Sequence, residues 1–134
     1  MKPLTLVEFK KATTVPRGGG IETALLISKD LGASNIMSGI TTLPSGGALR
    51  THSHNVEEMI TLLEGKVVLE AQGRRLELTQ YDTCLVPPGA FHSLQNPGDT
   101  VCRILWVYGS VQVTRTFART SGTTSLLQPE APGP

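Results

Sequence analysis

The chain predicts an all-β sandwich or barrel, on three grounds. Gly and Pro recur about every ten residues, and the runs between them are rich in Val, Ile, Leu and Thr. Several of those runs alternate apolar and polar side chains with the two-residue period of a half-buried strand. The connections are short, which suits a sheet closed on itself or two sheets packed face to face. At 134 residues there is enough chain for one domain with its own core and too little for two of ordinary size.

Residues 1–20 read as an N-terminal arm: they mix charge with the loop Pro16-Arg17-Gly18-Gly19-Gly20. The triple glycine is a turn rather than a phosphate cradle, because no Lys-Ser/Thr pair and no helical pattern follow it. Residues 21–115 form the barrel. Strands are expected over 23–28, 36–43, 48–54, 58–63, 66–71, 75–78, 83–86, 92–96 and 101–108. Gly65 supplies the positive φ for a hairpin between the fourth and fifth of these runs. Gln72-Gly73 makes a second, joining Val67, Leu69 and Ala71 to Leu76 and Leu78, with Arg75 and Glu77 on the opposite, wet face. Residues 116–134 are a Ser/Thr/Gly-rich and then Pro-rich tail.

A formal charge of +1 without a dense basic run offers nothing to a phosphate backbone, so nucleic acid is not an expected partner. No run is long enough to span a bilayer and the opening residues lack a signal-peptide core, so the expectation is a cytoplasmic protein with no membrane contact. The two cysteines, Cys84 and Cys102, lie in apolar stretches without a CxxC or a nearby histidine and read as buried small hydrophobes. No serine or cysteine has a base to spare, which removes the hydrolase readings.

All three histidines fall in two short arrays, His52-Ser53-His54 with Glu58 four residues on, and Pro87-Pro88-Gly89-Ala90-Phe91-His92. A strand projects alternate side chains to one face, so His52 and His54 can aim both imidazoles at one point. Three imidazoles and one carboxylate form a common mononuclear metal set. Strand parity alone leaves Glu57 and Glu58 both open for the carboxylate. By the same parity Arg50 shares a face with His52 and His54, where its guanidinium would anchor a substrate carboxylate. Phe91, Trp106, Tyr108 and Met59 line the pocket or fill the core, and Arg103 and Trp106, in antiphase, cannot both face inward.

The spacing Gly46-x5-His52-x-His54-x3-Glu58-x6-Gly65, followed by Pro87-x-Gly89-x2-His92-x3-Asn96, resembles the two motifs of the cupin superfamily. One position departs: Tyr81 stands where the second motif opens with glycine, although Asp82 after it fits the usual Gly-Asp turn. The resemblance implies an RmlC-like jelly-roll barrel in which His52, His54, Glu58 and His92 hold one divalent metal inside the mouth, and it favours Glu58 over Glu57. Ligand type leaves Fe, Mn, Ni, Co, Cu and Zn open. Four protein ligands leave positions for substrate, which points to a metalloenzyme of oxygenase, isomerase or lyase type on a small polar metabolite, with a non-catalytic binding or sensing module as the alternative. A proton shuttle, where the chemistry needs one, would fall to Glu57, Tyr81, Tyr108 or a metal-bound water. Members of the superfamily often pair through barrel edges and N-terminal arms, which implies a homodimer.

Overall fold

A computed structural model describes residues 1–118 and the short strand at 123–125. The described chain runs as β1 (Thr14–Pro16), β2 (Glu22–Ile27), β3 (Met37–Leu43), β4 (Ala48–His54), β5 (Glu58–Glu64), β6 (Val67–Ala71), β7 (Arg74–Leu78), β8 (Thr83–Val86), β9 (His92–Gln95), β10 (Cys102–Tyr108), β11 (Thr114–Phe117) and β12 (Thr123–Ser125). Two six-stranded antiparallel sheets result, ordered β1-β2-β3-β10-β5-β8 and β12-β11-β4-β9-β6-β7. Among the described residues, helical structure is confined to single 3-10 turns at Phe9–Lys11 and Lys29–Leu31, and no helix is long and apolar enough to cross a membrane.

All nine expected strands are present, within a residue or so at either end. The arm is not wholly outside the sheets, since β1 pairs with β2 in the register Thr14↔Ala24. The expected barrel end at residue 115 cuts through β11, so the first residues of the tail, Thr116 and Phe117, are strand. The rest of the tail, apart from β12, lies outside the described residues. Between β1 and β2 the triple glycine forms a turn closed by Ile21 N–H to the Gly18 carbonyl at 3.0 Å, with all three glycines at positive φ.

The Gln72-Gly73 hairpin is as expected: both residues take positive φ, 54° and 73°, the pattern of a two-residue turn matched to strand twist. The Gly65 hairpin is not. Gly65 has a φ of 82°, but β5 belongs to one sheet and β6 to the other, so the turn is a crossover between sheets. A Cβ there would sit 2.4 Å from the Val101 carbonyl oxygen, which excludes any larger residue. Local pattern foretold a tight turn and could not tell whether its arms would pair.

The core lies between the sheets. On β10 every second residue, Cys102, Ile104, Trp106 and Tyr108, is buried, and on β5 the same holds for Glu58, Ile60 and Leu62. Arg103 accordingly faces outward and pairs with Glu64. Trp106 fits because Gly39 opposes it on β3, and its Nε1–H donates to Thr41 Oγ1 at 2.9 Å, which in turn meets Thr23 Oγ1 at 2.9 Å. Asn96, the last residue of the second motif, is buried and structural: its Nδ2 donates to the carbonyls of Leu43, Pro44 and Thr100 at 3.1, 3.1 and 2.8 Å. It ties the turn after β9 to the turn before β4.

Candidate metal centre

The two sheets contribute different parts of one cluster. His52 and His54 end β4 and His92 begins the adjacent β9, where His52 and His92 are direct cross-strand partners. Glu58 begins β5 and Tyr108 ends β10, and these two are partners in the opposite sheet. Folding one sheet over the other brings all five side chains together in the interior, each at most 4% exposed.

One nitrogen of each imidazole is already committed. The Nδ1 atoms meet backbone carbonyls: His52 that of Arg50, His54 that of Thr114 at 3.0 Å and His92 that of Ala90 at 3.0 Å. Each Nδ1 therefore carries the hydrogen, leaving the Nε2 lone pair as the available ligand. One ring nitrogen from each histidine lies within 4.8 Å of the others. Glu58 Oε1 approaches two of the three, at 3.1 Å from His92 Nε2 and 3.6 Å from His54 Nε2. Tyr108 places its hydroxyl 3.2 Å from His54 Nε2.

Two donor atoms in this cluster are fully buried without a hydrogen-bond partner, His52 Nε2 and Glu58 Oε2. Leaving such atoms unsatisfied is costly, and a shared cation would satisfy both. The ionisation pattern agrees with that. Burial, helped by the adjacent His92 and His54, pushes His52 down to about 2, so it stays a neutral ligand. His54 is lowered by burial, against the pull of Glu58. For His92 burial acts downward too, but the hydrogen bond and charge of Glu58 outweigh it and raise the imidazole. Nitrogen and oxygen donors of this kind suit a borderline divalent cation.

The Cupin domain family matches residues 39–108. The chain belongs to the cupins. Among curated proteins, this cupin is 28% identical over 91 residues to the tetracenomycin polyketide synthase protein TcmJ of Streptomyces glaucescens, covering 67% of this chain and 61% of that protein's length. Among solved structures it is similar to the polyketide cyclase RemF of Streptomyces resistomycificus, with a TM-score of 0.73 at 20% identity over 97% of this chain and 90% of the other. It is also similar to a predicted oxalate decarboxylase of Thermotoga maritima, with a TM-score of 0.70 at 27% identity over 79% and 99% of the two chains. The jelly-roll fold of the cupins is thus established for this chain.

Within that frame, the three expected histidines come together. Glu58 faces the cluster while Glu57 is exposed, as motif spacing favoured. Arg50 does not join them. The register of β4 against β9 shifts between Leu49 and His52, a bulge that breaks the two-residue alternation. Leu49 and His52 are both buried, and Arg50 and Thr51 are both exposed. The Arg50 guanidinium lies 4.1 Å from the centroid of the Phe117 ring, which is itself 6.3 Å from the His52 ring. Phe91 is exposed and Met59 half-buried, whereas Trp106 fills core and Tyr108 reaches the cluster. Of the side chains expected as proton carriers, Tyr108 is in place, Glu57 is outside and Tyr81 is a 71% exposed turn residue. The residue that the sequence reading passed over is Arg115, fully buried on β11 opposite His54. Its signal was available: Val113, Arg115 and Phe117 share one strand phase, so an arginine sits where the flanking residues are apolar.

Proposed function

We propose that this cupin is a mononuclear metalloenzyme acting on a small, oxygen-rich polar metabolite, with His52, His54, His92 and Glu58 as the protein ligands. The observation that carries this reading is the set of three Nε2 lone pairs turned inward by backbone carbonyls onto a carboxylate. When bound, a divalent metal supplies Lewis acidity, or oxygen activation if it is redox-active. The protein's own contribution is to hold the imidazoles in one tautomer and to keep His52 neutral. It also sets a proton carrier beside the site. Tyr108 is that group. Burial and the nearby Glu58 raise its hydroxyl well above the ordinary range, so at neutral pH it is a proton donor rather than a phenolate.

Relatives named as a polyketide cyclase, a polyketide synthase protein and a predicted oxalate decarboxylase support carbonyl or carboxylate chemistry of the lyase, isomerase or cyclase kind over an oxygenase. Arg50, exposed beside Phe117, would meet an anionic substrate at the rim. A homodimer belongs to the same reading, supported by the exposed Leu4, Leu6 and Phe9 of the N-terminal segment. The free thiols of Cys84 and Cys102 fit the reducing cytoplasm.

Elemental analysis of untagged protein purified without chelator tests the centre. About one equivalent of a divalent transition metal, lost in a His52→Ala, His92→Ala double variant, is the expected result. Mn, Ni or Zn directs assays to isomerase, lyase and cyclase reactions, and Fe or Cu to oxygen uptake. No metal after reconstitution with each of these ions would overturn the reading in favour of a metal-free binding barrel.

A further inference from the structure

Among the described residues, one buried cation of the barrel stands beside the histidine cluster with no hydrogen-bonding partner of its own. Arg115 is fully buried, and none of its three guanidinium nitrogens has a hydrogen-bond partner among the described residues. A buried guanidinium is ordinarily paired, because desolvating it without compensation is among the costliest things a fold can do. Its position is not peripheral. β11 runs beside β4, with Arg115 opposite His54 and Phe117 opposite His52. The guanidinium stands 5.6 Å from the centroid of the Phe117 ring, and its charge is felt at His52, His54, Glu58 and Tyr108. Arg17, 3% exposed, adds a second buried cation close enough to repel it.

The geometry points to Arg115 as the anchor of an anionic substrate: a planar organic oxyanion, carboxylate or enolate, held by the guanidinium on one side and facing the histidine cluster on the other. This deepens the metalloenzyme reading and rests on it for the second contact, while the guanidinium contact exists without metal. A planar O–C–O group matches the fork of an arginine, whose two parallel N–H donors accept it bidentately. Burial and the repulsion of Arg17 pull the Arg115 guanidinium down to about 10, so it is still charged at neutral pH but disfavoured in the ligand-free barrel. An arriving anion removes that disadvantage. Phe117 also lines a surface groove of about 450 Å³ with Arg50, Thr51 and Ala118, so the same ring touches the exposed Arg50 on the outside and neighbours Arg115 on the inside.

Isothermal titration of the full chain, stripped of metal and then loaded with Zn(II), tests this with malonate and succinate as anionic probes and malonamide as the neutral control. The expected result is that at least one anionic probe binds and malonamide does not. Arg115→Gln should weaken that binding about tenfold or more, with Arg115→Lys in between. Zn(II) stoichiometry should be unchanged in both variants. A second readout separates a ligand anchor from a structural arginine. Because the native guanidinium lacks partners, metal-free Arg115→Gln and Arg115→Met should melt at or above the wild-type temperature. Binding within twofold of wild type in Arg115→Gln, no binding of either anion, or variants that melt several degrees lower or do not fold would each overturn the proposal. Anion binding that depends on Arg115 in a protein that takes up no metal would sustain the anchor and defeat the metal centre. Metal uptake with Arg115-independent binding would do the reverse.

Discussion

Replacing Tyr81 by glycine should stabilise this protein. Tyr81 occupies the turn between β7 and β8 with a φ of 73°, in the left-handed region where a Cβ is crowded by the neighbouring carbonyl. Holding an L-residue there costs about 1–2 kcal/mol. The side chain recovers little of it, being 71% exposed. The bonds that fix the turn belong to the backbone or to neighbours: Tyr81 N–H donates to the Leu62 carbonyl at 2.7 Å, and Asp82 accepts from Thr79 N–H at 2.9 Å and from its hydroxyl at 3.0 Å. Those survive in Tyr81→Gly. Glycine gives back about 0.5–1 kcal/mol through the greater freedom of its unfolded chain. The net gain is about 0.5–1 kcal/mol, or roughly 2–4 °C in Tm for a chain of this size. Thermal melts and urea titrations of Tyr81→Gly, Tyr81→Asn and Tyr81→Val, each measured metal-free, check it. The expected order of stability is Gly, then Asn, then the native Tyr, then Val, whose branched Cβ tolerates positive φ worst. A Val variant as stable as the Gly variant would refute the strain argument. Metal stoichiometry should be the same in all four proteins, because no ligand lies in this turn.

Gly39→Ala should be severely destabilising, by about 2–3 kcal/mol, because the new methyl would lie 2.4 Å from the Trp106 ring and 2.7 Å from the Ala24 carbonyl oxygen; a urea midpoint unchanged from wild type would contradict the packing described. Cys102 is fully buried, and burial raises its thiol to about 11 from 9.0. The unfolded chain therefore loses this proton first, so its contribution, up to about 3 kcal/mol, is whole below pH 9 and is lost as pH rises from about 9 to 11. Cys102→Ala should flatten that alkaline limb of the stability curve. Zn(II) affinity should fall by about tenfold per pH unit, a slope of one proton, as the pH drops through the raised range of His92, which starts above the ordinary imidazole value of about 6.5. His52 is held neutral and His54 is shifted downward, so the raised His92 is the imidazole that holds its proton most firmly against the metal. Equal affinity at pH 7.5 and pH 5 would remove His92 from the ligand set.

The parts of the site legible in the sequence are those fixed by unbroken local geometry. Glu58 shares a phase with Ile60 and Leu62 on a regular strand, and the structure buries all three. His52 and His54 share a phase for the same reason. Arg50 was placed with them by carrying the alternation back two residues, across the one point where β4 slips against β9. A bulge inserts a residue that parity cannot count, so every inference drawn across it inverts. The Gly65 turn failed for a related cause: a turn specifies the reversal of the chain, whereas the sheet each arm joins is decided by distant strands. Tyr81 shows the opposite case, a residue that departs from the motif while the backbone keeps the positive φ the motif's glycine would supply.

Arg115 marks the limit of pattern reading most clearly. On β11 it stands between Val113 and Phe117 in the buried phase, which marks an inward charge without saying what that charge faces. What sets it beside the histidines is that β11 returns across the barrel to lie against β4, a pairing between residues about sixty positions apart that no local signal encodes. The consequence is chemical. The bulge that turns Arg50 out to the rim and the return strand that brings Arg115 in beside His54 together leave a buried cation next to the proposed metal ligands. An anion then has a reason to enter that a neutral isostere lacks, so substrate selection in this barrel should follow charge before shape. That ordering predicts that malonamide, nearly the same size as malonate, is excluded even when the Phe117 ring is removed. Phe117→Ala should widen the entrance and admit larger anions without admitting the neutral amide. Binding of malonamide to that variant with an affinity approaching malonate's would show instead that the ring, and not the guanidinium, sets what the barrel accepts.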